Sequence, residues 1–238
     1  GEELAIFKTN DYIEWIKPTP DFDDLYNFSD DNLYKNIKKE AHKSAYKLLN
    51  ELGNLQIVTI ESLTGGLISS TLTNIPINGW NKYGSLVVYN SDAKRVFASV
   101  KEKNVYSHKC VKEMAIGGLI NSNATISLAV SGNAMPYNDK KDYLGELYIG
   151  VAAYSKKGNI IHKTKSLNIC NETNLINTKC FKWINDPNRK KANRYTQKKG
   201  FASYEKTTLI SNILRYKTVE LSINFCIDFI QKNKHKII

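Results

Sequence analysis

The stretch that decides the fold is Glu61-Ser62-Leu63-Thr64-Gly65-Gly66, which follows an apolar run over residues 55–60 and precedes a helical pattern. This order predicts a strand, a glycine turn and the start of a helix. A second stretch, from Gly84 to Lys94, ends another apolar run and places Tyr89 and Lys94 five residues apart. Because the free N–H groups at a helix start bind anions well, the glycine turn is a candidate ligand site.

The hydrophobic periodicity predicts further elements on both sides of this turn. Helical spacing runs from about 32 to 53 and from 64 to 73, begins again at 91 and at 107, and closes the chain at about 205–232. Buried-type strands are predicted at 55–60, 86–89, 125–130, 146–154 and 159–168. Helices and strands mixed in this order indicate an α/β fold, a three-layer α/β/α domain.

The charge is unevenly distributed along the 238 residues, whose formal net charge is +11. Residues 1–32 hold nine acids against two lysines and read as an acidic, extended leader. Residues 33–238 read as one domain, with a basic insertion at about 169–204 before the last helix. A body this basic suits an acidic partner such as RNA, although heavy lysine and asparagine usage also follows from an AT-rich genome.

Composition also excludes some classes of function. Because the sequence has no apolar run of about 18 residues, we expect no membrane span. The four cysteines are scattered without a C-x-x-C pair, so reduced thiols and no metal are expected. Gly1 without a preceding Met indicates a processed, tagged or truncated start. A reducing intracellular compartment is expected, and an organelle stays open if a targeting segment was removed.

Several motifs resemble the C-terminal domain of the CinA family, the nicotinamide mononucleotide deamidases. They are Glu61–Gly66, Tyr89 with Lys94, the helix entry from Val105 to Gly117, the loop from Ala129 to Pro136, and the strand start from Gly145 to Tyr148. The resemblance runs over about 33–168 and again over 205–232. No single motif is specific, but together they identify the chain as a divergent member.

The resemblance implies a site as well as a fold. In the family a serine attacks the carboxamide of a nicotinamide nucleotide, the lysine at Lys94 serves as base, and the tyrosine at Tyr89 supports the constellation. A serine hydroxyl needs such a neighbour to take its proton, and a lysine can do so when its pKa is lowered. The expected ligand-binding residues are Ser62, Thr64, Gly65, Gly66 and Ser131. The family implies no cofactor and implies self-association as a homo-oligomer.

Two departures from the family pattern favour a catalytically impaired domain. The gap-free match places Gly79 at the nucleophile position, and a shift by one places Asn78 there; neither can form an acyl intermediate. The family's arginine at the start of the last helix falls on Leu209 or a close neighbour, with Arg215 more than one helical turn away. An active amidohydrolase would need Ser62, Thr64, Ser85 or a water activated by Lys94 in place of that nucleophile.

The insertion completes the leading hypothesis, an impaired domain that acts as a binding or structural module against RNA or a ribonucleoprotein. The alternative hypothesis is the active amidohydrolase, which would convert nicotinamide mononucleotide to nicotinate mononucleotide and ammonia. Bases that neutralise phosphates and aromatics that stack on nucleobases are interleaved in the insertion. The candidate nucleic-acid-binding residues are Lys182, Trp183, Arg189, Lys190, Lys191, Arg194, Lys198 and Lys199. The alternative for the insertion is a solvated loop whose aromatic side chains cover the domain's own surface.

Overall fold

The computed structural model describes residues 32–135, 144–178, Phe181 and 204–237. The helices are α1 (Asn32–Leu52), α2 (Leu67–Thr73), α3 (Ser91–Ala98), α4 (His108–Ile120), α5 (Ile169–Glu172) and α6 (Tyr204–Asn233). The strands are β1 (Ile57–Glu61), β2 (Lys82–Val87), β3 (Ile126–Gly132), β4 (Glu146–Tyr154) and β5 (Ile160–Asn168). Short 3₁₀ turns lie at Gly79–Asn81 and Leu175–Asn177. The acidic leader and most of the insertion lie outside the described residues.

The five strands form one mixed sheet in the order β2-β1-β3-β4-β5. Strands β2, β1 and β3 are parallel, whereas β4 and β5 return antiparallel. Parallel neighbours need a helical crossover, and α2 and the α3–α4 pair provide these connections. The carboxyl ends of β1, β2 and β3 therefore meet at one edge of the sheet.

Helices cover both faces, which confirms the predicted three layers. One apolar cluster joins α1, α2 and α6 to the sheet, and a second joins α3 and α4 to its other face. The second layer packs very closely: a Cβ on Gly150 of β4 would lie 2.3 Å from the carbonyl oxygen of Val111 on α4. Close backbone approach of this kind requires glycine.

The predicted strand at 86–89 needs a correction, because β2 begins at Lys82 and ends at Val87. Its first residues are polar, and Tyr83 and Gly84 are exposed because β2 is the edge strand of the sheet. An edge strand buries only part of its surface, so hydrophobicity alone finds its apolar end and misses its polar start. The other predicted elements are found within a few residues of their expected bounds.

Candidate functional site

The candidate site lies at the carboxyl edge of the parallel strands. Ser62 follows β1 directly, and its backbone N–H donates to the carbonyl of Val130 on β3 at 3.1 Å. Across the other side of β1, the N–H of Val88 donates to the carbonyl of Glu61 at 2.8 Å. These bonds extend the sheet by one residue and hold Ser62 between the ends of β2 and β3.

A buried lysine contacts the hydroxyl of Ser62. The Nζ of Lys94 donates to Ser62 Oγ at 2.8 Å, to the carbonyl of Val88 at 2.8 Å and to the carbonyl of Tyr89 at 3.1 Å. The Lys94 side chain is only 2% exposed and Ser62 only 6%. Among the described side chains no carboxylate forms an ion pair with Lys94.

The electrostatic environment of Lys94 favours its neutral amine, which is the form that can accept a proton from a neighbour. Burial lowers the pKa of Lys94, and the nearby thiol of Cys110 opposes this effect. Burial in turn raises the pKa of Cys110 to about 11, so the thiol stays protonated and adds no negative charge near neutral pH. A desolvated lysine with a lowered pKa is the kind of amine that serves as a general base.

The turn that carries Ser62 is anchored by a buried carboxylate. Glu61 is fully buried, and it accepts hydrogen bonds from Thr59 Oγ1, Thr64 Oγ1 and the N–H groups of Ile68 and Ser69, at 2.7–2.9 Å. Its carboxylate thus ties β1, the turn and the first residues of α2 together. The sequence analysis does not predict this role of Glu61. The feature that could have indicated it is a charged residue at the end of an apolar strand.

Some groups at the predicted ligand site already form hydrogen bonds within the domain. Others form none among the described residues. Thr64 and Ser131 are buried, and their hydroxyls donate to Glu61 and to the carbonyl of Val105 respectively. Gly65 and Gly66 adopt φ values of +61° and +96°, which only glycine adopts readily. The N–H groups of Leu63 and Thr64 donate to no group among the described residues.

Tyrosines line one side of this edge. Tyr89 is 58% exposed and meets Lys94 through its backbone carbonyl only. Burial raises the pKa of Tyr106, with smaller contributions from Glu146 and Tyr89. Glu146 accepts from the hydroxyl of Tyr148 at 2.7 Å, and its second carboxylate oxygen is buried without a partner in the described part of the chain.

The structure places Gly79 at the opposite end of the sheet. The neighbouring Trp80 accepts at its carbonyl from Gln56, just before β1 begins, and Lys82 pairs with Ile57 at that same end. Lys94 lies beyond the other end of β1, about 13 Å away for five strand residues. A group at Gly79 therefore lies too far from Lys94 to exchange a proton with it directly, whereas Ser62 is the hydroxyl that Lys94 contacts. The match of the family's nucleophile to Gly79 or Asn78 stays a prediction from the sequence.

The sequence match places the family's arginine at Leu209 or a close neighbour, and Arg215 is an arginine of the same helix that reaches the turn. Arg215, on α6, donates through Nε to the carbonyl of Leu63 in the turn at 3.0 Å and through Nη2 to the sulfur of Met135 at 3.4 Å. Counting along the sequence does not show which residue of the last helix contacts the turn, because the insertion before that helix has no fixed length. The sequence feature that could have identified Arg215 is a lone arginine on the packed face of α6.

Comparisons with known proteins show the family to which this fold belongs. The family model for the CinA C-terminal domain matches residues 38–183. The chain belongs to the CinA C-terminal domain family. It is 37% identical over 123 residues to the Protein MG115 homolog of Mycoplasma pneumoniae, covering 49% of this chain and 76% of that protein.

Other members of the CinA family are longer proteins or more distant structures. The CinA-like protein of Fervidobacterium nodosum is 36% identical over 129 residues, which cover 52% of this chain but 31% of that protein. The crystal structure of a CinA superfamily protein from Enterobacter cloacae superposes with a TM-score of 0.55 at 19% identity, covering 80% of this chain and 92% of the other. That likeness supports the shared fold.

The remaining predicted residues and sites lie partly inside and partly outside the described part of the chain. The eight candidate nucleic-acid-binding residues all fall outside it. Within it, no three metal-ligating side chains cluster, and no helix has the length and apolarity to cross a bilayer. The cysteines described, Cys110, Cys170 and Cys226, are buried and free.

Proposed function

We propose that this CinA domain is a serine–lysine amidohydrolase that converts a nicotinamide nucleotide to the nicotinate nucleotide and ammonia. The observation that carries the proposal is the 2.8 Å contact between Ser62 Oγ and Lys94 Nζ. The substrate class comes from the family resemblance. The hypothesis of an impaired enzyme rests on Gly79 and on a missing arginine. The contacts of Lys94 with Ser62 and of Arg215 with the turn support the active alternative.

The chemistry follows from the groups present. Neutral Lys94 accepts the proton of Ser62 as the serine oxygen attacks the carboxamide carbon. The resulting ammonium donates that proton to the departing nitrogen, which leaves as ammonia. Lys94 then takes a proton from water, which attacks the acyl-serine, and it returns the proton to Ser62 Oγ. Products are the carboxylate and the free serine.

Two further groups fit this reaction. The N–H groups of Leu63 and Thr64 adjoin Ser62 and are candidate donors to the negative oxygen of the tetrahedral intermediate. The guanidinium of Arg215, held at the same turn by the Leu63 carbonyl, would bind the phosphate of the nucleotide. Tyr89 and Ser131 would then shape the pocket without touching the proton being transferred.

Ammonia release from nicotinamide mononucleotide tests the proposal in four proteins. The unaltered chain should turn over, and Gly79→Ser should match it. Ser62→Ala and Lys94→Met should each lose about a thousandfold or more of kcat, because they remove the nucleophile or its base. Activity that appears only in Gly79→Ser would restore the impaired-enzyme hypothesis, and full activity in Ser62→Ala would exclude the proposed nucleophile.

The second candidate function is RNA binding by the insertion, and it is supported by the net charge of +11 and the basic, aromatic sequence of residues 179–206. RNA affinity should fall steeply with salt. Lys190→Glu with Lys191→Glu should weaken binding more than the matched charge change Lys156→Glu with Lys157→Glu in the β4–β5 turn. Equal losses of RNA affinity in the two double variants would mean that the insertion is only one part of a general basic surface.

Self-association stays a prediction of the family resemblance.

A further inference from the structure

A thioether sulfur occupies an unusual place beside the candidate site. The Sδ of Met135, in the loop after β3, accepts from the hydroxyl of Ser211 at 2.9 Å and from Arg215 Nη2 at 3.4 Å. Thioether sulfur is only a weak hydrogen-bond acceptor. Two donors from α6, one of them charged, are therefore directed at an atom that satisfies them poorly.

The guanidinium of Arg215 has no charged partner among the described side chains. Its other hydrogen bond is to the backbone carbonyl of Leu63. A positive charge whose partners in the described part of the chain are neutral keeps its capacity to bind an anion. Any change that made the sulfur of Met135 a better acceptor would compete directly for that capacity.

The two methionines of the chain differ in their access to solvent. Met114 is fully buried in the layer between α4 and the sheet, whereas Met135 is half-buried. No other methionine is present in the sequence. Because oxidation of methionine follows exposure of its sulfur, Met135 is the methionine that a soluble oxidant reaches first.

We propose that Met135 is a reversible oxidation site that controls anion binding by Arg215. A peroxide transfers one oxygen to the sulfur: the S–O bond forms, the O–O bond breaks, the sulfur loses two electrons and water leaves. The sulfoxide oxygen is a strong acceptor, so it holds the donors of Arg215 and Ser211 in place of a ligand. Thiol-dependent methionine sulfoxide reductases reverse the step.

The modification itself is tested without reference to activity. The intact protein is treated with hydrogen peroxide, digested, and its two methionine-containing peptides are followed by mass spectrometry. Met135 should gain one oxygen about tenfold or more faster than Met114, in keeping with their difference in exposure. Equal rates, or faster oxidation of Met114, would overturn the proposal.

The consequence is tested with inorganic phosphate as the probe and Tm as the readout. Phosphate should raise the Tm of the unaltered protein and not that of Arg215→Gln. Oxidation should weaken the apparent phosphate affinity by about fivefold, the effect of one competing hydrogen bond, and methionine sulfoxide reductase should restore it. Unchanged affinity after complete oxidation of Met135 would refute the control of Arg215, as would phosphate stabilisation that survives in Arg215→Gln.

Two variants separate this effect from other oxidation damage. Each is compared with itself before and after peroxide: Met135→Leu should show no loss of phosphate affinity, and Met114→Leu should respond like the unaltered chain. A loss of phosphate affinity when Met135→Leu is treated with peroxide would show that oxidation of another residue causes the effect. The proposal rests on the proposed function only for the nature of the ligand, so a protein that releases no ammonia but passes these tests would disprove the amidase and keep the oxidation site.

Discussion

At the scale of single residues, a lysine without a carboxylate partner is the most informative feature of the molecule. Lys94 is among the largest fully buried side chains, although burying an amine is unfavourable for its charged form. Its three hydrogen bonds, to Ser62 and two carbonyls, reduce this cost without neutralising the charge. A group held in such an environment is commonly functional, since burial moves its pKa toward the working pH.

The lowered pKa of Lys94 predicts the pH dependence of the reaction. Only the neutral amine accepts a proton from Ser62, so kcat/KM should rise with pH through an apparent pKa below the 10.5 of an ordinary lysine. The measurement is ammonia release across a pH series, with protein integrity checked at each value. A flat profile, or one that falls with pH in that range, would contradict Lys94 as the base.

At the scale of elements, the turn between β1 and α2 depends on Glu61 more than on its glycines alone. Five donors converge on that carboxylate, from β1, β2, the turn and the helix. The helix α2 has no side-chain cap at Gly66, so Glu61 supplies from within the fold the acceptors that an N-cap residue normally provides.

Replacing Glu61 with glutamine should therefore destabilise the domain. The amide keeps one acceptor oxygen but turns an NH₂ toward donors, so the free energy of unfolding should fall by about 1–3 kcal/mol. Urea denaturation measures the change, and Glu40→Gln on the exposed face of α1 is the matched control. A loss no greater than that of the control would mean that the carboxylate does not anchor the turn.

The contact between α4 and β4 yields a second prediction at this scale. A methyl group at Gly150 would meet the carbonyl of Val111 at 2.3 Å, whereas one at Gly84 on β2 would meet nothing within 4 Å. Gly150→Ala should cost about 1–3 kcal/mol of stability through overpacking, and Gly84→Ala should be close to neutral. Thermal and urea unfolding of both variants check this, and similar stabilities for the two would refute the close packing.

At the scale of the whole molecule, buried acidic groups with raised pKa values govern stability at alkaline pH. Burial raises the pKa of Cys110 to about 11 and that of Cys170 and Cys226 to about 12, from an ordinary 9.0. Above pH 9 the unfolded chain therefore releases protons that the folded domain retains, which favours unfolding. Lys94 acts in the opposite direction, because its pKa is lowered in the folded domain and its amine therefore binds more protons in the unfolded state than in the folded one.

Burial also raises the pKa values of Tyr34 and Tyr148 to about 12. The thiols and these phenols outweigh one amine, so the free energy of unfolding should decrease as the pH rises from about 9 to 11, by on the order of 1 kcal/mol per pH unit for each thiol. Urea denaturation in the presence of a reductant measures this slope. Cys226→Ala should lose stability overall from the cavity, but its slope with pH should be shallower. An unchanged slope in that variant would show that the thiol does not contribute.

The sequence by itself determined the fold class, the family and the two stretches that form the site. Apolar periodicity is a local property, and Glu61–Gly66 with Tyr89 and Lys94 lie close enough in sequence to be recognised together. The edge strand β2 was found only in part, because its first residues are polar and half its surface meets solvent.

Only the tertiary structure decided which hydroxyl the lysine meets. Ser62 and Lys94 are joined by strand pairing across the carboxyl edge of the sheet, while Gly79 lies at the amino edge, and no spacing along the chain distinguishes these two edges. Arg215 and Met135 come together from elements about 80 residues apart. Contacts of that range depend on how α6 packs across the sheet, which is a property of the folded core and not of any local pattern.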